Sequence, residues 1–240
     1  MGSATRRDAS PERPAVLSLT DWRRRWQLRQ AQPGPLRDYL ARPLPNPRRD
    51  YRETEFLAID LETTGLDVKR DLILSVGYVT LHGRRIDLGS ARHRLVRIDR
   101  SIPEASAVIH QITDDQSARG LELADVLGEL LEVLCGKVMI AHHAVVECGF
   151  LGSACRRLWG AGLPVSVVDT QVLARRTFER RQIPFRGSDL RLHALGDRYN
   201  LPRYGAHNAL SDALAAAELF LAQAAHRDSG KGLPLADFLT

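Results

Sequence analysis

The sequence predicts an α/β protein, a mixed β-sheet flanked by helices and preceded by a basic extension. Three observations predict this. Short apolar runs bounded by turn residues come first, and strands then alternate with longer helical patterns from about residue 121. The first fifty residues instead carry arginine and proline. The 240 residues suffice for one buried domain of about 150–200 residues plus extensions.

Residues 1–15 are polar, contain Pro11 and Pro14, and are expected to be disordered. A short helix is predicted from Thr20, with Trp22 and Trp26 four residues apart among Arg23, Arg24, Arg25 and Arg29. Docking on the chain's own core, a partner protein, and base stacking are all open roles for these tryptophans. A second helix is predicted over 35–41, and the segment with Pro43, Pro45 and Pro47 cannot be helical. Residues 56–61 read as a buried strand closed by Thr64-Gly65, and 72–81 as a second strand ending at His82-Gly83. Two short strands are predicted over 84–88 and 93–98. A helix over 121–134, a strand over 138–142, a helix over 145–159 and a strand over 165–169 follow. Helices over 170–178, 190–199 and 209–225 complete the order. The expected divisions are a basic arm with its proline-rich linker (1–52), a domain (53–226) and a short tail (227–240).

The composition, 44% hydrophobic and 26% charged, is that of a soluble globular protein. No apolar run approaches the roughly 18 residues of a membrane span, and a secretory signal is missing. No membrane partner and a cytoplasmic location are expected. Cys135, Cys148 and Cys155 have neither the number nor the spacing of a disulfide framework or zinc ribbon, and are expected to be small buried side chains. The net charge of +5 is uneven: residues 1–52 hold twelve arginines against five acidic residues, so the remainder is slightly acidic. Such an arm suits attraction to a polyanion.

Four carboxylates stand where their neighbours should repel charge. Asp60 and Glu62, two apart on a strand, project from one face, while Leu57, Ile59 and Leu61 take the other. Glu147 lies among Ala144, Phe150, Leu151 and Ala154 on its helix. Asp212 lies among Ala209, Ala215, Ala216 and Leu219. Neither helical acid has a lysine or arginine three or four residues away. An unpartnered buried carboxylate costs several kcal/mol or takes up a proton. Any one of them could be a neutral acid or an exposed helix end. The four together call for a shared counter-charge, and an all-oxygen set suits a hard divalent cation. His207, five residues before Asp212, is either a general base beside that cation or a helix-capping residue.

These residues, in this order, resemble the DEDDh (DnaQ-like) 3′–5′ exonucleases. Ala58-Ile59-Asp60-Leu61-Glu62-Thr63-Thr64-Gly65-Leu66 looks like the first motif, and Ala141-His142-His143-Ala144-Val145-Val146-Glu147 like the second. His207-Asn208-Ala209-Leu210-Ser211-Asp212 resembles the third. Val108-Ile109-His110-Gln111-Ile112-Thr113 and Val168-Asp169-Thr170 fit further recurring segments. The likeness spans roughly residues 54–225. A lone D-x-E is weak; the ordered set is specific. Two departures stand out. In the second motif, His143, Val146 and Glu147 replace the family's Asn, Phe and Asp. About fifteen residues follow the last predicted helix, which leaves little room for a polymerase-binding segment and favours a free-standing nuclease.

The resemblance implies a ribonuclease H-like, five-stranded mixed sheet and a metal-dependent 3′–5′ exonuclease with DNA as the favoured substrate and RNA the alternative. It further implies two Mg²⁺ or Mn²⁺ ions held by Asp60, Glu62, Glu147 and Asp212, with His207 as base. Thr63, Leu66, Ile109 and His110 would contact the terminal nucleotide, although His110 suits a buried core position equally well. A homodimer and a protein partner for the arm are further expectations. Competing readings are an exoribonuclease, a catalytically weakened nucleic-acid-binding module, and a zinc site on His142, His143 and Cys148.

Overall fold

A computed structural model describes residues 19–99, 103, 106, 113–205 and 208–240. The expected disorder of residues 1–15 lies outside them. Helix α1 (Leu19–Gln30) and α2 (Pro35–Ala41) precede strands β1 (Glu55–Thr63), β2 (Ile73–His82) and β3 (Arg85–Leu95). Then come α3 (Asp114–Ala118), α4 (Leu123–Leu134), β4 (Val138–Ala141), α5 (Val145–Trp159) and β5 (Val167–Asp169). Helices α6 (Thr170–Arg180), α7 (Leu192–Arg198) and α8 (Ala209–Arg227) follow. No described helix is long and apolar enough to cross a membrane.

The sheet has five strands in the order β3-β2-β1-β4-β5. The first three form an antiparallel meander, and β4 and β5 add in parallel to β1. This is the connectivity that tight turns first and helical crossovers later impose. Both faces are covered. Leu57, Ile59 and Leu61 pack with Leu127, Leu130, Phe150 and Leu151 from α4 and α5. Phe56 and Ala58, on the other face, meet Ala216, Ala217 and Phe220 of α8. Asp60 and Glu62 continue that second line towards the strand's end, so they lie under a helix and not in open solvent.

Several boundaries differ from expectation. The two short strands expected over 84–88 and 93–98 are one, β3, whose register slips between Tyr78 and Thr80 of its neighbour. Ser90 repairs the ladder there: its Oγ accepts from the Thr80 amide at 2.8 Å and donates to the Asp87 carbonyl at 2.7 Å. A looped-out Leu88-Gly89-Ser90 reads as a break in sequence, but a bulge keeps the strand whole. The helix expected over 190–199 divides into a 3₁₀ turn (Gly187–Leu190) and α7. Helix α3 was not foreseen, although Thr113 and Gln116 form its reciprocal capping box.

The segments on either side of the expected domain are built into its core. Leu36, Leu40 and Tyr51 are fully buried, as are Leu235 and Phe238. Tyr51, Phe220 and Phe238 pack edge-to-face and tilted as an aromatic cluster. The boundaries expected at 52 and 226 therefore fall inside packed structure. Core docking of the two tryptophans does not occur: Trp22 and Trp26 are 58% and 47% exposed, and it is Arg24 that α1 buries. Of the cysteines, Cys155 alone is fully buried.

Candidate active site

Ligand atoms of Asp60, Glu62 and Asp212 lie within 4.8 Å of one another. Two come from one strand, and the third from a helix that starts more than 140 residues later. Gly77 explains how the helix comes so close. It pairs with Asp60 across β1 and β2, and a Cβ there would stand 2.1 Å from the Ala209 backbone. The first turn of α8 thus rests directly on β2, and Asp212, one turn in, reaches the acids of β1. Ala209, Ala213 and Ala216 are buried and small, which keeps the rest of the helix equally near the sheet. Asn208 caps it, its Oδ1 accepting from the Leu210 and Ser211 amides, both at 3.2 Å.

Glu147 arrives separately. Strand β4 ends at Ala141, and His143 adopts a left-handed backbone (φ 67°) that turns the chain sharply into α5. Asp169, at the end of the neighbouring strand, fixes this turn. Its carboxylate accepts the His143 and Ala144 amides at 3.2 and 2.9 Å, and the Gln171 and Val172 amides at 2.9 and 3.2 Å. One side chain therefore ties together the first turns of α5 and α6. Glu147 is 3% exposed, and its Oε2 has no hydrogen-bond partner among the described residues. It lies outside the 4.8 Å set but faces it electrically.

The acids strain against one another. Burial first, then the charges of Glu147, Glu62 and Asp212, raise the Asp60 carboxyl well above the usual carboxylate range. Burial, with Asp169 and Glu62 nearby, pushes Glu147 up to about 8. The helix N-termini behind Glu147 and Asp212 offset only part of that repulsion. A divalent cation answers both observations: it supplies the missing positive charge and a partner for the buried Glu147 oxygen. The residues fit the group.

The other expected residues divide. Leu66 is 79% exposed on the loop after β1. Thr63 is buried, its hydroxyl donating to the Gly65 carbonyl at 2.6 Å. His207, Ile109 and His110 lie outside the described residues. Two histidines at the site were not foreseen. His193 Nε2 stands 3.8 Å from Asp212 Oδ1. His93 pairs with Gly77 on the neighbouring strand, and its Nε2 is buried without a hydrogen-bond partner among the described residues. No local signal marks either, since a lone histidine on a strand or short helix carries no spacing. A zinc site on His142 has no support. Its Nδ1 bonds Thr170 Oγ1 at 2.8 Å and its Nε2 the Leu190 carbonyl at 2.9 Å, so both ring nitrogens are engaged.

Comparison with known proteins places the chain in a family. The profile of the RNase T family, described as Exonuclease, matches residues 57–220. The DNA polymerase III subunit epsilon of Treponema pallidum is 30% identical over 183 residues, covering 76% of this chain and 82% of that protein. The PolC-type DNA polymerase III of Thermotoga maritima is 28% identical over 171 residues, only 12% of its own length. Among solved structures, exonuclease X in complex with 5′ overhanging duplex DNA covers 76% of this chain and 98% of its own, at 24% identity and a TM-score of 0.56. The nuclease domain of 3′hExo, a DEDDh family member bound to rAMP, covers 78% and 98%, at 16% identity and a TM-score of 0.63. With the profile covering well over half of its length and the carboxylates gathered as described, the chain belongs to the exonuclease family, as a metal-dependent 3′–5′ exonuclease of the DnaQ-like, DEDDh type.

Proposed function

We propose that this exonuclease shortens DNA from the 3′ end, with Asp60, Glu62, Glu147 and Asp212 holding two Mg²⁺ or Mn²⁺ ions. The carrying observation is the convergence of Asp60, Glu62 and Asp212 within 4.8 Å, with buried Glu147 raising the Asp60 carboxyl further. When bound, such ions neutralise charge at the scissile phosphate and lower the pKa of water. The chain's own residues do the remainder. Asp169 sets the turn that delivers Glu147, and Gly77 admits the helix that delivers Asp212. His207, two residues ahead of that helix in the sequence, takes the proton of the attacking water. Leu66 offers an exposed apolar edge to the terminal base, and the Thr63 turn holds the loop that carries it. Ile109 and His110 complete the grip on the terminal nucleotide.

DNA is favoured because the named relatives are a DNA polymerase III subunit and a PolC-type DNA polymerase III, and one structural neighbour holds duplex DNA. The rAMP in another neighbour favours RNA as the second reading. The test is digestion of 3′-labelled single- and double-stranded DNA and RNA with Mg²⁺, with Mn²⁺, and with EDTA. Stepwise loss of 3′ nucleotides from DNA, stopped by EDTA, is expected. Faster attack on RNA would reassign the substrate. Inactivity on all four substrates with both ions would leave a nucleic-acid-binding module.

A further inference from the structure

We propose that a groove between α1 and α5 seats the single strand leading away from the acidic site, with Trp22 and Trp26 stacking on its bases. The proposal rests on the nucleolytic reading above and adds a second contact region to it. Of three tryptophans, Trp159 is buried, while Trp22 and Trp26 stand about half exposed on one face of α1. Large aromatic rings held in solvent one turn apart signal a partner surface.

They line a groove of about 570 Å³ whose opposite wall is Cys148, Gly152 and Arg156 of α5. Those three residues are four apart, so they form one stripe along the helix. Cys148 follows Glu147 directly, and the Glu147 and Asp169 charges act on its thiol, so this end of the groove is the one nearer the acids. From Cys148 to Arg156 is about 12 Å of helix, room for about three or four stacked nucleotides at about 3.4 Å each. A Cβ on Gly152 would meet no atom within 4 Å. Packing does not require the glycine, and its missing side chain leaves the floor open.

Charge selects the occupant. Arg23 and Arg156 line the groove, Arg25 and Arg29 are exposed on the same helix, and no aspartate or glutamate side chain among the described residues lines it. The nearest acid on α1, Asp21, is engaged by Arg24 and Arg25 at 2.7 and 2.9 Å. Flat aromatic faces between guanidinium groups match a strand that alternates bases and phosphates. A folded protein partner would meet the same rings through apolar contacts, without needing the arginines.

The test uses the full chain, Mg²⁺, and thymidine oligomers of two and twelve nucleotides made hydrolysis-resistant with phosphorothioate linkages. Only the longer oligomer reaches the groove. It should quench tryptophan emission in the unsubstituted protein, and the shorter one should not. Trp22→Ala/Trp26→Ala should weaken binding of the twelve-mer by about tenfold or more, with the two-mer affected less than about twofold. Arg156→Gln, which leaves the rings in place, should weaken the twelve-mer and lower its salt dependence. Equal twelve-mer affinity in the double variant, or binding without quenching, overturns the groove and assigns the tryptophans to a protein partner. Failure of the unsubstituted protein to bind either oligomer overturns the underlying substrate reading as well.

Discussion

Glu147 is the residue on which burial and charge act most visibly. Its carboxyl is pushed from 4.5 up to about 8, so without metal it holds a proton at neutral pH. A raised carboxylate is at its most stable below its unfolded value, and the metal-free fold loses that contribution as pH climbs from about 4.5 towards 8. Metal must displace the proton. Affinity should therefore rise about tenfold per pH unit below pH 8, measured by calorimetry in buffers of different ionisation enthalpy. Glu147→Gln should melt no lower than the parent in EDTA and should lose the stabilisation that metal confers. Asp60→Ala or Asp212→Ala should cut turnover by about a thousandfold or more, since each removes a proposed metal ligand and leaves packing intact. Substantial turnover in either purified variant would count against the assignment. His142 titrates with the opposite sign. Burial lowers it to about 4, so its contribution is complete above its unfolded value near 6.5 and is lost as pH falls towards 4. About 3 kcal/mol should disappear over that range, and urea unfolding of the parent against His142→Gln at pH 7 and pH 4.5 would measure it.

At the scale of elements, the site is set by two close approaches. Helix α8 touches β2 at Gly77 because no side chain intervenes. Gly77→Ala places a methyl group against backbone that cannot rotate aside, so the first turn of α8 must move. The expected result is a loss of about 1–3 kcal/mol in stability and a larger relative loss of metal affinity, because Asp212 moves with its helix. Melting curves with and without metal would separate the two effects. The second approach is the tie through Asp169. Asp169→Ala deprives four amides of their acceptor. It should cost about 3 kcal/mol, combining a lost helix cap with unsatisfied buried donors. A change under about 1 kcal/mol on denaturant titration would show that water replaces the carboxylate.

For the whole molecule, the basic N-terminal region is both structure and surface. Because Leu36 and Leu40 are fully buried, removing the first fifty residues would open the core, and the effect of charge has to be measured by substitution. Neutralising Arg23, Arg25 and Arg29 to glutamine should lower the slope of log affinity against log salt by about two for a single strand, with melting temperature little changed. An unchanged slope would show that these arginines do not meet phosphate.

The sequence alone determined most of the order of strands and helices, though not α3 or the unity of β3, and it singled out Asp60, Glu62 and Asp212, which converge. Those features are written locally: alternation on β1 puts Asp60 and Glu62 on one face, and a carboxylate set among alanines is conspicuous wherever it occurs. Tertiary structure decided what depends on partners distant in the chain. It joined β3 across its bulge, placed His193 and His93 beside the acids, and turned Trp22 and Trp26 outward while drawing Phe238 inward. A residue's own neighbours fix its backbone and its face. What that face meets is fixed by elements many residues away, and no periodicity records it.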